Sequence, residues 1–173
     1  KIIDGKQVEV PDNWLKYDNV WETRKPEKAV EVEFYGNAET YVDTDGRVRC
    51  RTDNSMHVRA VPYDVMVMGY NHRAINTLRL WSAEPVDDLK SIHEICHSLY
   101  PDDSNEHGKM LRLRQQYFLV SAGLKSLIRE HKRVYGTLNN LCEKLVFQLN
   151  DTHPILAIPE LMRILMDEEG FGW

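Results

Sequence analysis

Apolar and polar residues alternate through the first third of the chain. The stretch AVEVEFYG sets Val30, Val32 and Phe34 against two glutamates, which is the period of a strand with one face buried. The stretch MHVRAVPYDVMV (56–67) continues in the same style, and LRLW (78–81) is a further short strand candidate. These runs predict a group of antiparallel strands.

A hairpin is predicted between the first two of these runs. In YVDTDGRVRC the pair Asp45-Gly46 lies between two apolar stretches. Asp-Gly is a strong signal for a two-residue turn, because both central residues of that turn need a positive φ. We therefore expect two paired strands that are joined at Asp45-Gly46.

Helical spacing replaces strand spacing in the middle of the chain. One helix is expected within 86–99 and a longer one over about 107–131. In the longer helix, apolar residues recur at intervals of four and three, which predicts a single stripe that faces the core. The stripe comprises Leu113, Tyr117, Val120, Leu124 and Leu127.

A short apolar run and another helix are predicted near the C-terminal end. LVFQL (145–149) is expected to be a buried strand. After it, Asp151 or Thr152 can cap a helix that has Pro154 in its first turn. The buried face of this helix is expected to comprise Ile155, Ile158, Met162 and Leu165.

Composition argues against several classes of protein. The chain has 173 residues and a net charge of −5, so we expect neither nucleic acid nor a membrane as a partner. Three widely spaced cysteines favour a reducing compartment and a cytoplasmic location. No apolar run reaches transmembrane length. No repeat or linker divides the sequence, so residues 1–173 are expected to form a single segment.

The stretch HEICH (93–97) matches the zinc-peptidase pattern H-E-x-x-H. On a helix, His93 and His97 would reach one metal, and Glu94 would activate the water bound to it. A catalytic zinc also needs a third protein ligand, and the downstream extension of such peptidases is absent here, while Cys96 adds a soft donor. The alternative, which we favour, is a surface or interface helix that carries two histidines and no metal.

Five stretches point to a different function. In order along the chain they are DNWLKYDNVWE, VPYDVMVMGY, INTLRLWSAEP, SLYPDDSNEHGKMLRLRQQYFLVSAGL and FQLNDTHPILAIPELMRILMDEEG. Together they resemble the α-glucan phosphorylases, the family of glycogen, starch and maltodextrin phosphorylases. Their sequences are similar to those of the bacterial members. The resemblance covers nearly the whole chain, which makes it far more specific than the five-residue zinc pattern.

The resemblance implies an α/β fold, part of the N-terminal Rossmann-like domain of a two-domain GT-B glycosyltransferase. Antiparallel strands come first in this part, followed by helices and a buried strand. The family's enzymes use phosphate to cleave terminal α-1,4-glucosidic bonds and release glucose 1-phosphate, with pyridoxal phosphate as cofactor. Because the C-terminal domain binds that cofactor and is expected to be absent here, we expect no bound cofactor and no activity from this chain alone. A homo-oligomer is also expected.

Two loops match family positions that line the catalytic cleft. YPDDS resembles a gate over the glucosyl site, and an arginine on the following helix neutralises the carboxylates of that gate. NDTH matches residues beside the anomeric carbon. Without the resemblance, both loops would be interpreted as helix caps. The implied substrate-pocket residues are Asp103, Ser104, Arg112, Asn150, Asp151 and His153.

The resemblance also bears on regulation. Animal phosphorylases hold the phosphate of an activating nucleotide with adjacent arginines, at the end of the helix that matches 107–131. Here the matching pair is Arg129-Glu130, and a carboxylate beside an anion site repels phosphate. We therefore expect no nucleotide activation through this pocket. Asn105 likewise stands where animal enzymes stack purine-like inhibitors on an aromatic ring.

Three functions remain open at this point. The chain is a segment of a glucan phosphorylase, a sugar-binding or structural domain without catalysis, or a zinc metallopeptidase. The first is favoured, because it accounts for all five stretches.

Overall fold

Strands fill the first half of the chain and helices the second, in a computed structural model that describes residues 2–8, 21–34, 36–85, 94–96 and 101–173. The fold is mixed α/β with antiparallel sheets. The strands are β1 (Ile2–Ile3), β2 (Lys6–Gln7), β3 (Glu22–Arg24), β4 (Val30–Phe34), β5 (Asn37–Val42), β6 (Val48–Asp53), β7 (Met56–Met68) and β8 (Ile75–Pro85). The helices are α1 (Glu106–Tyr135), α2 (Leu141–Lys144) and α3 (Ala157–Arg163).

The central sheet is built on β7. Strand β8 pairs with one edge of β7, while β4 and β3 lie end to end along the other. Pairing with β4 ends at Ala60 and pairing with β3 begins at Tyr63, which leaves a gap beside Pro62. The Pro62 carbonyl accepts from Lys25 N at 2.9 Å on that edge, so the proline nitrogen faces the same gap. A proline is tolerated in this central strand because no partner there needs its missing N–H.

The period-2 prediction is confirmed in β4. Val30, Val32 and Phe34 are buried, and the glutamates between them are less so. The candidate strands at 56–67 and 78–81 are confirmed as parts of β7 and β8.

β5 and β6 form the predicted hairpin, but its loop has three residues rather than two. Asp43 N donates to Arg47 O at 2.9 Å, so these two residues still pair. Gly46 has a φ of 77°, as the last residue of a three-residue hairpin loop requires. The loop is lengthened because the Asp43 carboxylate accepts from Asp45 N and Arg47 N at 2.9 and 2.8 Å.

Helix α1 extends beyond the predicted range 107–131 at both ends. At its start the Asn105 side chain accepts from Gly108 N at 2.9 Å, so Asn105, not the aspartates before it, is the cap. At its end Gly136 has a φ of 69° and bonds through its N–H to Lys132 O. A left-handed glycine of this kind stops a helix.

The predicted apolar stripe of α1 is wrong in part. Leu124 is buried, and Tyr117 and Val120 are half-buried, but Leu113 and Leu127 are 48% and 44% exposed. The helix has apolar residues on several sides, and two partners on different sides choose among them. The sheet covers one set and α3 another, so the buried apolar residues are Leu111, Phe118, Ala122, Leu124 and Ile128.

The run 145–149 is not the buried strand that its composition predicts. Leu145 has extended backbone, with φ −122° and ψ 138°, but 145–149 is assigned no strand. Leu145 and Phe147 pack against helices, whereas Val146 is 95% exposed. A strand buried on both faces needs partners on both, and the described part of the chain covers only one face of this run.

The helix after Pro154 exists but buries a different face. Ile155, Ile158 and Met162 are exposed and Leu165 is half-buried, against the prediction. The segment begins as a 3₁₀ turn (His153–Leu156), continues as α3 and ends as a π turn (Ile164–Glu168). The rotation per residue therefore departs from the uniform 3.6-residue period on which the prediction rested. The positions buried instead are Ala157, Glu160 and Ile164.

Two apolar clusters form the core, one between the sheet and α1 and one among the helices. The first joins β4, β7 and β8 to Phe118 and Ala122 of α1, and includes Ile95. The second joins α1 to α2 and α3. Of the helix expected within 86–99, the stretch 94–96 is helical and the rest lies outside the described residues. No helix in the described part of the chain is long and apolar enough to cross a membrane.

Candidate functional site

Two loops meet at one arginine of α1. Arg112 Nη1 donates to Asp103 Oδ2 at 2.6 Å, and Arg112 Nη2 lies 3.1 Å from His153 Nε2. Asp103 belongs to the loop before α1, and His153 opens the 3₁₀ turn before α3. The structure therefore brings together three of the residues singled out from sequence, two of which are separated by 41 positions.

The Arg112 contact favours one tautomer of the neutral His153 ring. A guanidinium has only donors, so Nε2 must accept and the proton of the neutral imidazole lies on Nδ1. On that side Nδ1 is 3.7 Å from Asp151 Oδ2. Arg112 thus bridges Asp103 and His153, a pair of contacts called the Arg112 bridge below, and Asp151 lies at the far side of the His153 ring.

Local backbone bonds shape the second loop. Asp151 adopts a left-handed φ of 73°, and its Oδ1 accepts from Thr152 N at 2.5 Å. This bond, with the Thr152 hydroxyl and the nearby His153, lowers the pKa of Asp151 from its ordinary value. Thr152 stands at the helix start without a side-chain capping bond, so the cap expected from it is not formed. Asn150 precedes Asp151 and is exposed.

A glycine of α1 allows the loop before the helix, which contains Asp103, to lie close against it. A side chain at Gly108 would place its Cβ 1.7 Å from Asp102 O, so only glycine lets the loop approach the helix this closely. Asp102 Oδ1 accepts from Ser104 N at 3.0 Å, and this bond lowers the pKa of Asp102. Ser104 is exposed and lies next to the bridge formed by Asp103.

A hollow of about 250 Å³ opens beside the bridge. One wall follows α1 at helical spacing from Arg112, and the other is the start of the 3₁₀ turn. Sequence reasoning missed most of these residues, although their spacing from Arg112 was a usable signal. The lining residues are Arg112, Gln115, Gln116, Leu119, Val120, His153 and Pro154.

The middle of HEICH is held between β8 and α1. Gln115 Nε2 donates to Ile95 O at 2.9 Å, and Ala83 N donates to Cys96 Sγ at 3.1 Å. Burial raises the pKa of the Cys96 thiol, which disfavours the thiolate that a metal requires. His93 and His97 lie outside the described residues, and among those described no three acidic, histidine or cysteine side chains are placed to hold a metal ion.

Comparison with known proteins identifies the family. The family model described as carbohydrate phosphorylase matches residues 1–173. The glycogen phosphorylases of Bacillus subtilis and Haemophilus influenzae are 45% and 44% identical, over 182 and 190 residues. The brain form of glycogen phosphorylase from Bos taurus is 41% identical over 199 residues. Each alignment covers 100% of this chain but only 22–23% of the relative.

The chain thus spans about a quarter of the length of the curated relatives it matches. All five stretches that carried the resemblance fall within the matched range. Their collinear order and the full-length match give the same result: this chain belongs to the carbohydrate phosphorylase family.

Proposed function

We propose that residues 1–173 are a single segment of the N-terminal domain of an α-glucan phosphorylase, and that the Arg112 bridge forms one wall of its substrate pocket. The longer enzyme would cleave terminal α-1,4-glucosidic bonds with phosphate. The observation that carries the proposal is the contact of Arg112 with both Asp103 and His153, which joins the two loops that resemble the family's cleft.

The bridge suits a sugar rather than an ion. It presents both hydrogen-bond donors and acceptors, and the adjacent hollow has Leu119, Val120 and Pro154 for the apolar face of a ring. Arg112 neutralises Asp103, which removes a charge that would repel phosphate. In this proposal Ser104 and Asn150 flank the bridge as neutral hydrogen-bonding groups.

Pyridoxal phosphate would supply the acid–base phosphate of the reaction when bound to the complete enzyme. The hollow beside Arg112 has no lysine among its described lining residues, so this hollow offers no lysine to hold the cofactor. Its own residues would position the glucosyl group and exclude water beside it.

The exposed apolar face of 145–149 supports the finer fold proposal. Val146 is 95% exposed and follows Leu145, whose backbone is extended, as expected of a strand from a parallel Rossmann-like sheet whose neighbours come from further chain. The same exposed surface would favour a homo-oligomer. A cytoplasmic enzyme is consistent with the three free cysteines.

Loss of Arg112 is expected to reduce phosphorolysis. In the protein at its natural length, Arg112→Met should lower kcat/KM for maltodextrin about tenfold, the equivalent of one charge-assisted hydrogen bond. Arg133→Met is the matched control, because Arg133 pairs with Glu130 of its own helix at the exposed end of α1. An unchanged kcat/KM for Arg112→Met would contradict the proposed pocket.

The 173-residue chain alone should bind glucan weakly and show no turnover. Peptidase activity that a chelator abolishes would favour the zinc hypothesis instead.

No activation by AMP is expected through the end of α1. Arg129 already donates to Lys28 O and Ala29 O at 2.6 and 2.7 Å, and Glu130 pairs with Arg133. A phosphate would therefore meet an engaged guanidinium and a carboxylate. Calorimetric titration with AMP should give no binding heat, whereas Glu130→Arg should raise the affinity. AMP ordered against Arg129 in a crystal would overturn this expectation.

A further inference from the structure

The contact between α1 and α3 contains a buried carboxylate that the proposed site does not use. Glu160 is 4% exposed and Ser121 is fully buried. The Ser121 hydroxyl donates to Glu160 Oε1 at 2.6 Å. A buried charge lowers the stability of the fold unless it is fully paired. The burial of this carboxylate therefore points to a role for Glu160 besides stability.

Glu160 is paired by a fork of two bonds. Arg163 donates through Nε to Glu160 Oε2 at 2.8 Å and through Nη2 to Oε1 at 3.0 Å. Arg163 also reaches Glu168, which in turn lies 3.2 Å from Lys125 Nζ of α1. Burial opposes the charge of Arg163, but its bonds to Glu160 and Glu168 outweigh that and raise its pKa.

These contacts belong to a series that follows the same order along two segments. Along α1 the residues Arg112, Ser121, Lys125 and Lys132 contact, in the same order along the second segment, His153, Glu160, Glu168 and Glu169. Ser121 lies nine residues beyond Arg112, about 13 Å along the helix axis. Of the four contacts, only the one at Ser121 has both partners buried.

The Arg112–His153 contact is too exposed to hold the two segments in register by itself. The side chains of Arg112 and His153 are 30% and 44% exposed, and such polar contacts contribute at most about 1 kcal/mol. A shift of one segment along the other would separate the two side chains. The register that joins them must therefore be imposed from the buried part of the contact.

We propose that Glu160, held by Ser121 and Arg163, is a positioning residue that keeps His153 against Arg112. It acts through the register of α1 and α3 and touches no substrate. The inference rests on the proposed function for its importance, because the Arg112–His153 bridge is the substrate wall proposed above. The proposed coupling between the buried Glu160 carboxylate and the tautomer of His153 can be measured without an activity assay.

The tautomer of His153 provides the test. In protein of natural length labelled with ¹⁵N in histidine, at a pH where the ring is neutral, wild-type His153 should give the signal of one tautomer, protonated on Nδ1. The signal is assigned by its loss in His153→Gln. Glu160→Gln keeps the shape and removes the charge, and Ser121→Ala removes only one bond and serves if the first variant does not fold. Either variant should convert the single signal to a mixture of tautomers.

A matched control separates positioning from general stability. Lys132→Met removes the ion pair with Glu169 from the same two segments, but at the exposed end, and should leave the His153 signal unchanged. If Glu160→Gln and Ser121→Ala retain the single tautomer while lowering the melting temperature, Glu160 is structural only and the proposal fails. If Arg112→Met leaves phosphorolysis unchanged while Glu160→Gln or Ser121→Ala still mixes the His153 tautomers, only the proposed function is contradicted.

Discussion

Phe118→Ala is expected to lower the free energy of unfolding by about 4 kcal/mol. Phe118 is fully buried in the cluster that joins α1 to the sheet, with Val32 and Val58 among its members. Alanine would leave a cavity between a helix and three strands, and neighbours fixed by strand pairing can collapse into it only partly. Urea denaturation monitored by circular dichroism measures the change directly.

Two control variants make this measurement specific. Phe118→Leu keeps most of the volume and should cost less than half as much. Leu113→Ala lies on the same helix, at a position that is 48% exposed, and should change the free energy of unfolding by no more than about 0.5 kcal/mol. A Leu113→Ala cost equal to that of Phe118→Ala would show that the stripe predicted from sequence is buried after all.

Asp64→Asn is expected to cost about 3 kcal/mol at neutral pH. Asp64 is buried, and Arg79 donates to it through Nε and Nη2 at 2.6 and 2.7 Å, while Nη1 reaches Ser126 of α1 at 3.0 Å. Removal of the carboxylate charge leaves the guanidinium without its counter-charge between sheet and helix. The exposed pair of Glu39 and Arg51 is the control, and Glu39→Gln should cost less than about 1 kcal/mol.

The Asp64 contribution should disappear in acid. The hydrogen bonds from Arg79 lower the pKa of Asp64 below its ordinary value. A carboxyl whose folded pKa is depressed stabilises the fold above its unfolded pKa of about 3.9, and that stability is lost as the pH falls through the folded value. The gap in free energy between wild type and Asp64→Asn should therefore narrow as the pH falls below about 5 and through the lowered pKa of Asp64. Urea denaturation at a series of pH values tests this, and a constant gap would contradict the assignment.

Local chemistry made part of the fold predictable. Strands β4, β7 and β8 follow from alternation, and α1 from helical spacing, because these periods are properties of the backbone itself. The hairpin was predicted but its loop was not, since the Asp43 carboxylate competes for the backbone N–H groups of the turn. The faces of α1 and α3 could not be predicted, because each helix offers several apolar sides and its partners select one.

The candidate site divides in the same way. Each of its loops was found from sequence. The family that their sequences indicated is confirmed by the family model, which matches residues 1–173. The bridge of Arg112 to Asp103 and His153, the hollow beside it and the buried Glu160 became visible only in the folded chain. Sequence by itself determined the family and most of the elements, though not the run 145–149, because a short motif and a local period depend on residues that are near one another along the chain. Tertiary structure decided which faces are buried and which side chains meet, because those depend on contacts between residues some 40 positions apart.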